Sequence, residues 1–302
     1  MLFKLKPVVF LAVLFLLACT SDHDQNNYQP SFASANNAKT TTQYIFGVHP
    51  LHNPQRLHEV FSPLMTYLSQ HVDNATFKLE ASRNYASYNK KLYAGKFDFA
   101  LPNPYQTVNA IKKGYKVFGK MADDHKFRGI ILVRKDSQIQ SISDLKGKVV
   151  SYPAPTALAA TMMPQYYIQT HGLNVMKDID NRYVGSQESS IMNVFFNHSA
   201  AAATWPFPWI SLSRERPELA QQLEVKWQTE TLPNNGLIVK PDVDQAVVDK
   251  VGFLLFRLHQ NTEGKEILSR MELSAFEVAN QDTYLPVSQF LEKFSREVRP
   301  LN

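Results

Sequence analysis

From Tyr44 onward, short apolar runs alternate with stretches whose apolar residues recur every three or four positions. The runs at 44–48, 76–80 and 97–101 have the length of strands, and an amphipathic stretch follows each. This alternation of strand and helix predicts a mainly parallel sheet with helices on both faces. A second series of the same kind begins near residue 148 and predicts a second lobe.

The predicted strands near 130–134 and 236–240 join the two series. We therefore expect an α/β fold of two lobes, with the chain crossing twice between them and a cleft in between. We assign residues 44–133 and 237–302 to the first lobe and 134–236 to the second.

The N-terminus predicts export and lipidation. An apolar stretch of 12 residues, 7–18, follows Lys4 and Lys6. Cys19, the protein's one cysteine, comes directly after it. A membrane span needs about 20 residues, so residues 1–18 read as a secretory signal peptide. Its end resembles a bacterial lipobox, which implies a lipid on Cys19. Residues 19–43 are polar and predict a flexible tether.

Charge and motifs argue against several classes of protein. The net charge of +5 is spread along the chain without a basic stripe, which disfavours nucleic-acid binding. We find no Walker loop, no zinc-protease motif and no nucleophile elbow. We therefore expect no catalytic residues, no metal site and no cofactor.

Predicted helix starts at the ends of strands are the candidate binding features. The N–H groups of residues 156–158, with the Thr156 hydroxyl, could hold an anion, and so could the start at Ser186. Plain helix capping explains Thr156 and Ser186 equally well. Asn103 opens a third such helix, and Trp205 is a candidate wall of the cleft.

Several short segments carry a family resemblance, namely Asn84-Tyr85, 95–98, 100–105, 144–148 and 185–188. Together they resemble the phosphate-, phosphite- and phosphonate-binding receptors of ABC transporters. The resemblance implies a periplasmic-binding-protein fold of type II-like topology.

In that family two tyrosines face the ligand, and the matching residues here are Tyr85 and Tyr105. The family's hydroxyl-rich helix start is replaced by Pro155-Thr-Ala-Leu-Ala159, and its histidine ligand by Gln187. No carboxylate lies at 204–207 or 234–235 to receive an aminophosphonate's ammonium group.

We therefore expect a lipid-anchored protein on the periplasmic face of the bacterial cell envelope that captures a small anion for an ABC permease. We expect the protein to be a monomer. A receptor that reports to a membrane sensor such as a kinase or cyclase is an alternative, and an enzyme on the same fold is another. The predicted ligand-binding residues are Tyr85, Asn103, Tyr105, Thr156, Ala157, Leu158, Ser186, Gln187 and Trp205.

Overall fold

The computed structural model describes residues 41–301. The predicted signal peptide, the predicted lipidation site Cys19 and nearly all of the predicted tether fall outside these residues. The first strand begins at Thr42, two residues earlier than the sequence pattern predicts. Within the described part, every helix is too short or too polar to cross a bilayer.

Eleven strands and ten α-helices make up the described part of the chain. The strands are β1 (Thr42–Val48), β2 (Ala75–Glu80), β3 (Phe99–Leu101), β4 (Lys116–Met121), β5 (Arg128–Arg134), β6 (Val149–Tyr152), β7 (Asp180–Tyr183), β8 (Ala201–Thr204), β9 (Leu223–Thr231), β10 (Gly236–Val239) and β11 (Phe276–Val278). The helices are α1 (Pro54–His71), α2 (Tyr85–Tyr93), α3 (Pro104–Ile111), α4 (Met163–Thr170), α5 (Gln187–Phe195), α6 (Pro206–Glu215), α7 (Pro217–Gln222), α8 (Gln245–Leu255), α9 (Thr262–Arg270) and α10 (Leu285–Glu297). A π-helical turn, Leu158–Met162, leads directly into α4.

The strands form two separate sheets. The first sheet has the order β11-β4-β10-β3-β1-β2, and the second has the order β7-β6-β8-β5-β9. Strands β2, β1 and β3 are parallel, as are β7, β6 and β8. Strands β10 and β11 in the first sheet and β5 in the second run against the others. This is the mainly parallel, two-lobed arrangement that the sequence predicts.

The chain crosses between the sheets twice, after β4 and after β9. The predicted boundary at residue 133 differs from this arrangement, because it left β5 in the first lobe. In the structure β5 pairs with β8 and β9, so the first crossing lies between Met121 and Arg128. The second crossing precedes Gly236, within one residue of its predicted place.

Side-chain caps explain why the helices begin where they do. Asn53 and Asn84 accept hydrogen bonds from the N–H groups of Arg56 and Ser87, at 3.0 and 2.9 Å. Asn103 and Gln106 form a reciprocal capping box at the start of α3. Each cap follows the carboxyl end of a strand, so these helix starts collect at one edge of the first sheet.

The two crossings are hydrogen-bonded to each other. Asn234, on the return crossing, donates from its amide to Ala122 O at 2.7 Å, and its backbone N–H donates to Asp124 at 2.9 Å. Tyr284 donates to Asn234 O at 2.7 Å. Lys120, which is buried, pairs with Asp124 and with Glu277. These bonds fix the hinge at the side of the first sheet.

Candidate functional site

A cavity lies where the two sheets face each other. Its lining comes from both lobes and from the hinge: His49, Tyr85, Asn103, Phe127, Ala157, Leu158, Ala159, Ala160, Gln187, Trp205 and Asn235. The cavity measures about 10 Å³, which is room for about one water molecule. The lobes are therefore closed on each other in this structure.

Five helix starts meet at this cavity. Tyr85 and Gln187 are the first residues of α2 and α5, and Asn103 and Trp205 precede α3 and α6 as their N-caps. Residues 157–160 form the start of the π-helical turn. The first N–H groups of a helix have no intrahelical acceptor, and the helix dipole adds partial positive charge there. Five such ends make the cavity favourable for negative charge.

Hydrogen bonds run across the cavity from one lobe to the other. Gln187 Nε2 in the second lobe donates to the Tyr85 hydroxyl in the first, at 3.4 Å. The Thr204 hydroxyl donates to Gln187 Oε1 at 2.8 Å and thereby fixes which end of the amide faces Tyr85. Nearby, Asn103 Nδ2 donates to Thr156 O at 3.0 Å. The cleft is thus closed by direct contacts between uncharged groups.

The polar groups of the cavity are neutral at physiological pH. Burial lowers the pKa of His49 to about 4, although its hydrogen bond to Leu101 O opposes that shift. His49 Nδ1 lies 2.9 Å from Leu101 O, and because a carbonyl only accepts, the proton of the neutral ring is on Nδ1. Burial raises the pKa of Tyr85 well above its ordinary value. Lys, Arg, Asp and Glu are absent from the lining residues.

Asn235 brings an amide from the hinge into the cavity wall. Its side chain is fully buried, and Nδ2 lies 3.3 Å from Met121 Sδ. Its Oδ1 has no hydrogen-bond partner among residues 41–301. Buried polar atoms are nearly always paired, so this oxygen is an available acceptor at the candidate site.

Aromatic rings form the apolar side of the cavity. Phe127 and Trp205 meet edge to face with ring centroids 5.5 Å apart. Phe207 packs against Trp205 with ring centroids 4.8 Å apart. All three rings are buried. They exclude water from one side of the cavity, which strengthens the hydrogen bonds on the other.

Three predicted residues lie outside the cavity lining. Tyr105 lies one position beyond Pro104 in α3 and faces α10, beside Leu291. Thr156 precedes its helix, which begins at Leu158 instead of 156, because the turn closed by Ala157 N and Ala154 O delays the start. Ser186 caps α5, with its hydroxyl oxygen accepting from Ser189 N at 3.0 Å.

The other six predicted residues, Tyr85, Asn103, Ala157, Leu158, Gln187 and Trp205, line the cavity together. Sequence reasoning missed His49, Phe127, Ala159, Ala160 and Asn235. His49 carried a usable signal, since it follows the first predicted strand at the edge where the helix starts gather. Asn235 carried a signal only through the family resemblance, which places ligand-facing residues near 234–235.

Polar contacts also close the cleft outside the cavity. Arg56 of α1 pairs with Glu215 of α6 and donates to the Ser211 hydroxyl at 2.6 Å. Asn53 Nδ2 donates to Glu188 at 2.9 Å. Within residues 41–301, no three His, Cys, Asp or Glu side chains converge as metal ligands would.

Known proteins share this architecture. A family model for the periplasmic substrate-binding protein of phosphonate ABC transporters matches residues 46–284. The phosphonates-binding periplasmic protein of Escherichia coli K12 is 20% identical over 255 residues, which are 81% of this chain and 74% of that protein.

Two solved structures confirm the predicted two-lobed fold. One is the binding-protein component of a Pseudomonas aeruginosa phosphonate ABC transporter, with a TM-score of 0.78, 20% identity, and coverage of 85% of this chain and 88% of that one. The other is a Prochlorococcus marinus protein in complex with methylphosphonate, with a TM-score of 0.78, 17% identity, and coverage of 84% and 98%.

Proposed function

Because this chain belongs to the family of periplasmic substrate-binding proteins of phosphonate ABC transporters, we propose that it binds a small phosphorus oxyanion in the cavity between its lobes. Members of this family are transport receptors and not enzymes, and they serve a membrane permease. The proposed ligands are phosphate, phosphite and simple alkylphosphonates.

The meeting of five helix starts at one uncharged cavity carries this proposal. Helix N-termini bind anions through their N–H groups and their dipole, without a charged side chain. Tyr85 and Gln187 add donors from opposite lobes, 3.4 Å apart. In a cavity walled by Phe127 and Trp205, a hydrogen bond to a charged acceptor contributes about 1.5–3 kcal/mol.

Binding requires the lobes to separate first. A cavity of about 10 Å³ holds no phosphonate, so the ligand enters an open form and the lobes close around it. The two crossings are the natural hinge, since they are the covalent links between the sheets. The closed form would present both lobes to the permease together.

Calorimetric titration of residues 41–302 with phosphate, phosphite, methylphosphonate and 2-aminoethylphosphonate tests the proposal. We expect at least one of the first three to bind. We expect 2-aminoethylphosphonate to bind more weakly, because no carboxylate lines the cavity to pair with its ammonium group. Heat from none of the four ligands would contradict the proposed function.

We also propose that Cys19 is acylated and holds the protein at the periplasmic face of a membrane. The basic, apolar and cysteine segments at residues 1–19 support this. In bacteria fed labelled palmitate, the full-length protein should carry the label and the Cys19→Ala variant should not. An unlabelled full-length protein would contradict the anchor while leaving the binding proposal intact.

A further inference from the structure

We propose that Asn235 makes the cavity selective for an oxyanion that still carries a proton, the hydrogen-phosphonate or hydrogen-phosphite monoanion. This inference rests on the proposed function and names the ionic form of the ligand. In the bound state, the ligand's P–OH would donate to Asn235 Oδ1. The unprotonated oxygens would accept from Tyr85 and from the N–H groups of residues 158–160.

The first argument is that the Asn235 acceptor is fixed in place and unpaired. Its backbone N–H donates to Asn234 Oδ1 at 2.8 Å, and its carbonyl accepts from Met121 N at 2.9 Å. The side chain is fully buried and Oδ1 has no donor among residues 41–301. Leaving such an atom unpaired in a buried site is unfavourable, so a ligand that supplies a hydrogen to it binds more tightly.

The second argument concerns the orientation of the amide. Nδ2 lies 3.3 Å from Met121 Sδ, and a thioether sulfur can only accept. Turning the amide by half a rotation would place two acceptors against each other there. The sulfur contact therefore directs the oxygen of Asn235, and not its NH₂ group, away from Met121.

The third argument is the absence of positive side chains. None of the lining residues is Lys or Arg, and His49 is neutral because burial lowers its pKa to about 4. A dianion would bring a second charge into the cavity with no countercharge, at a large desolvation cost. A monoanion brings one negative charge, which the helix N-termini stabilise, and one hydrogen, which can be donated to Asn235 Oδ1.

Two ligands of the same shape and charge separate this inference from the proposed function. Methylphosphonate monoanion and methanesulfonate each carry one negative charge, but only the phosphonate has an acidic hydrogen to donate. At about pH 6, where at least about half of a phosphoryl ligand is still singly ionised, we expect methylphosphonate to bind about 10- to 100-fold more tightly than methanesulfonate. Equal affinities would overturn the inference and leave the function standing.

The pH dependence gives a second measurement on the unaltered protein. From about pH 6 to about pH 8.5, methylphosphonate loses its remaining hydrogen, so its affinity should fall about tenfold or more, while the affinity of methanesulfonate stays constant. An unchanged methylphosphonate affinity would overturn the inference. If neither ligand binds at any pH, and phosphate and phosphite fail as well, the proposed function fails with it.

Variants of Asn235 identify the residue responsible. Asn235→Leu removes the acceptor, and the ratio of the two affinities should fall to near one. Asn235→Asp keeps an acceptor and should preserve the preference for methylphosphonate. Asn109→Leu is the control, because Asn109 lies outside the cavity lining and its amide donates to a backbone oxygen of α3. An affinity ratio that stays unchanged in Asn235→Leu would contradict the assignment of Asn235 as the acceptor. If that variant fails to fold, the comparison of the two ligands and the pH series on the unaltered protein decide the question.

Discussion

Gln187 donates from Nε2 to the Tyr85 hydroxyl across the cleft, because its Oε1 is already occupied by the hydroxyl of Thr204. The hydrogen bonds therefore run in one direction, from the second lobe towards the first: Thr204 donates to Gln187, and Gln187 donates to Tyr85. Tyr85 accepts in this contact, which leaves its own hydrogen available to a ligand oxygen. A chain of three uncharged side chains thus prepares a donor without using a cation.

The role of Tyr85 can be separated from that of Tyr105, which the family resemblance also places at the ligand. Tyr85→Phe removes a donor inside the cavity, and we expect the dissociation constant for methylphosphonate to rise about 10- to 100-fold. Tyr105→Phe should leave it within about twofold, since Tyr105 faces α10. Calorimetry on both variants measures this, and the reverse order of effects would contradict the site described above.

Thr204 should act by orienting Gln187. In Thr204→Val, Gln187 Oε1 loses its donor and the amide is no longer held with Nε2 towards Tyr85. We expect the affinity to fall about tenfold, as for the loss of a buried hydrogen bond. Thr204→Ser keeps the hydroxyl and should bind like the unaltered protein. Equal loss in both variants would indicate a packing role instead.

Two buried histidines should make the protein sensitive to mild acid. Burial lowers the pKa of His49 to about 4 and that of His52 to about 3, with Arg56 adding to the shift of His52. In the unfolded chain these two histidines take up protons near pH 6.5, whereas in the folded chain they stay neutral at that pH. The free energy of unfolding therefore falls as the pH drops below about 6.5. At pH 5 each of the two histidines should lower the free energy of unfolding by about 2 kcal/mol.

Urea unfolding at pH 7 and at pH 5 measures this loss. The double variant His49→Gln, His52→Gln should lose most of the difference between the two pH values, whatever its stability at pH 7. If the unaltered protein has the same free energy of unfolding at both pH values, the two histidines are not held neutral by burial.

The architecture was readable because it depends on local patterns. Alternating apolar runs and amphipathic stretches give the parallel strands β1, β2 and β3 and the helices between them. Strand β9 was missed, because it is an edge strand with exposed polar residues and so shows no continuous apolar run. The boundary error at β5 has the same origin, since sheet membership depends on a partner about 100 residues away.

The candidate site was readable where a residue opens a helix. Tyr85, Asn103 and Gln187 do so, and a sequence shows helix starts through caps and prolines. Thr156 shows the limit of this reasoning, because its helix begins two residues later than predicted and each residue of error turns a side chain by about 100° around the helix axis. Ser186 fits its alternative role, the capping of α5. Asn235 reaches the site only through the tertiary path of the hinge.

The contact between α1 and α6 should stabilise the closed form. Arg56→Met removes the pairing with Glu215 and the hydrogen bond to Ser211. Both charges are partly exposed, so we expect a modest effect, at most about 1 kcal/mol. The radius of gyration from X-ray scattering of the ligand-free protein should rise slightly, and high salt should produce the same rise in the unaltered protein. No change under either condition would contradict a role in closure.

Gly129 couples the packing of the second sheet to the candidate site. A Cβ at this position would lie 2.5 Å from Ala159 O and 2.7 Å from Pro164 Cδ. Both neighbours belong to rigid backbone or ring, so the helix start would have to move. Gly129→Ala should therefore lower stability by about 1–3 kcal/mol, and it should also weaken ligand binding, because Ala159 lines the cavity.

Gly119 provides the matched control for that substitution. A Cβ there would lie 2.7 Å from the Phe256 ring and 3.0 Å from Glu277 O, in the first sheet and away from the cavity lining. Gly119→Ala should destabilise the protein while leaving the dissociation constant for methylphosphonate within about twofold of the unaltered value. Urea unfolding and calorimetry on both variants separate the two effects. Moving the N–H donors of residues 157–160 should lower the affinity for the ligand, whereas a loss of stability elsewhere in the protein should not. If Gly129→Ala weakens binding no more than Gly119→Ala does, this helix start does not hold the ligand.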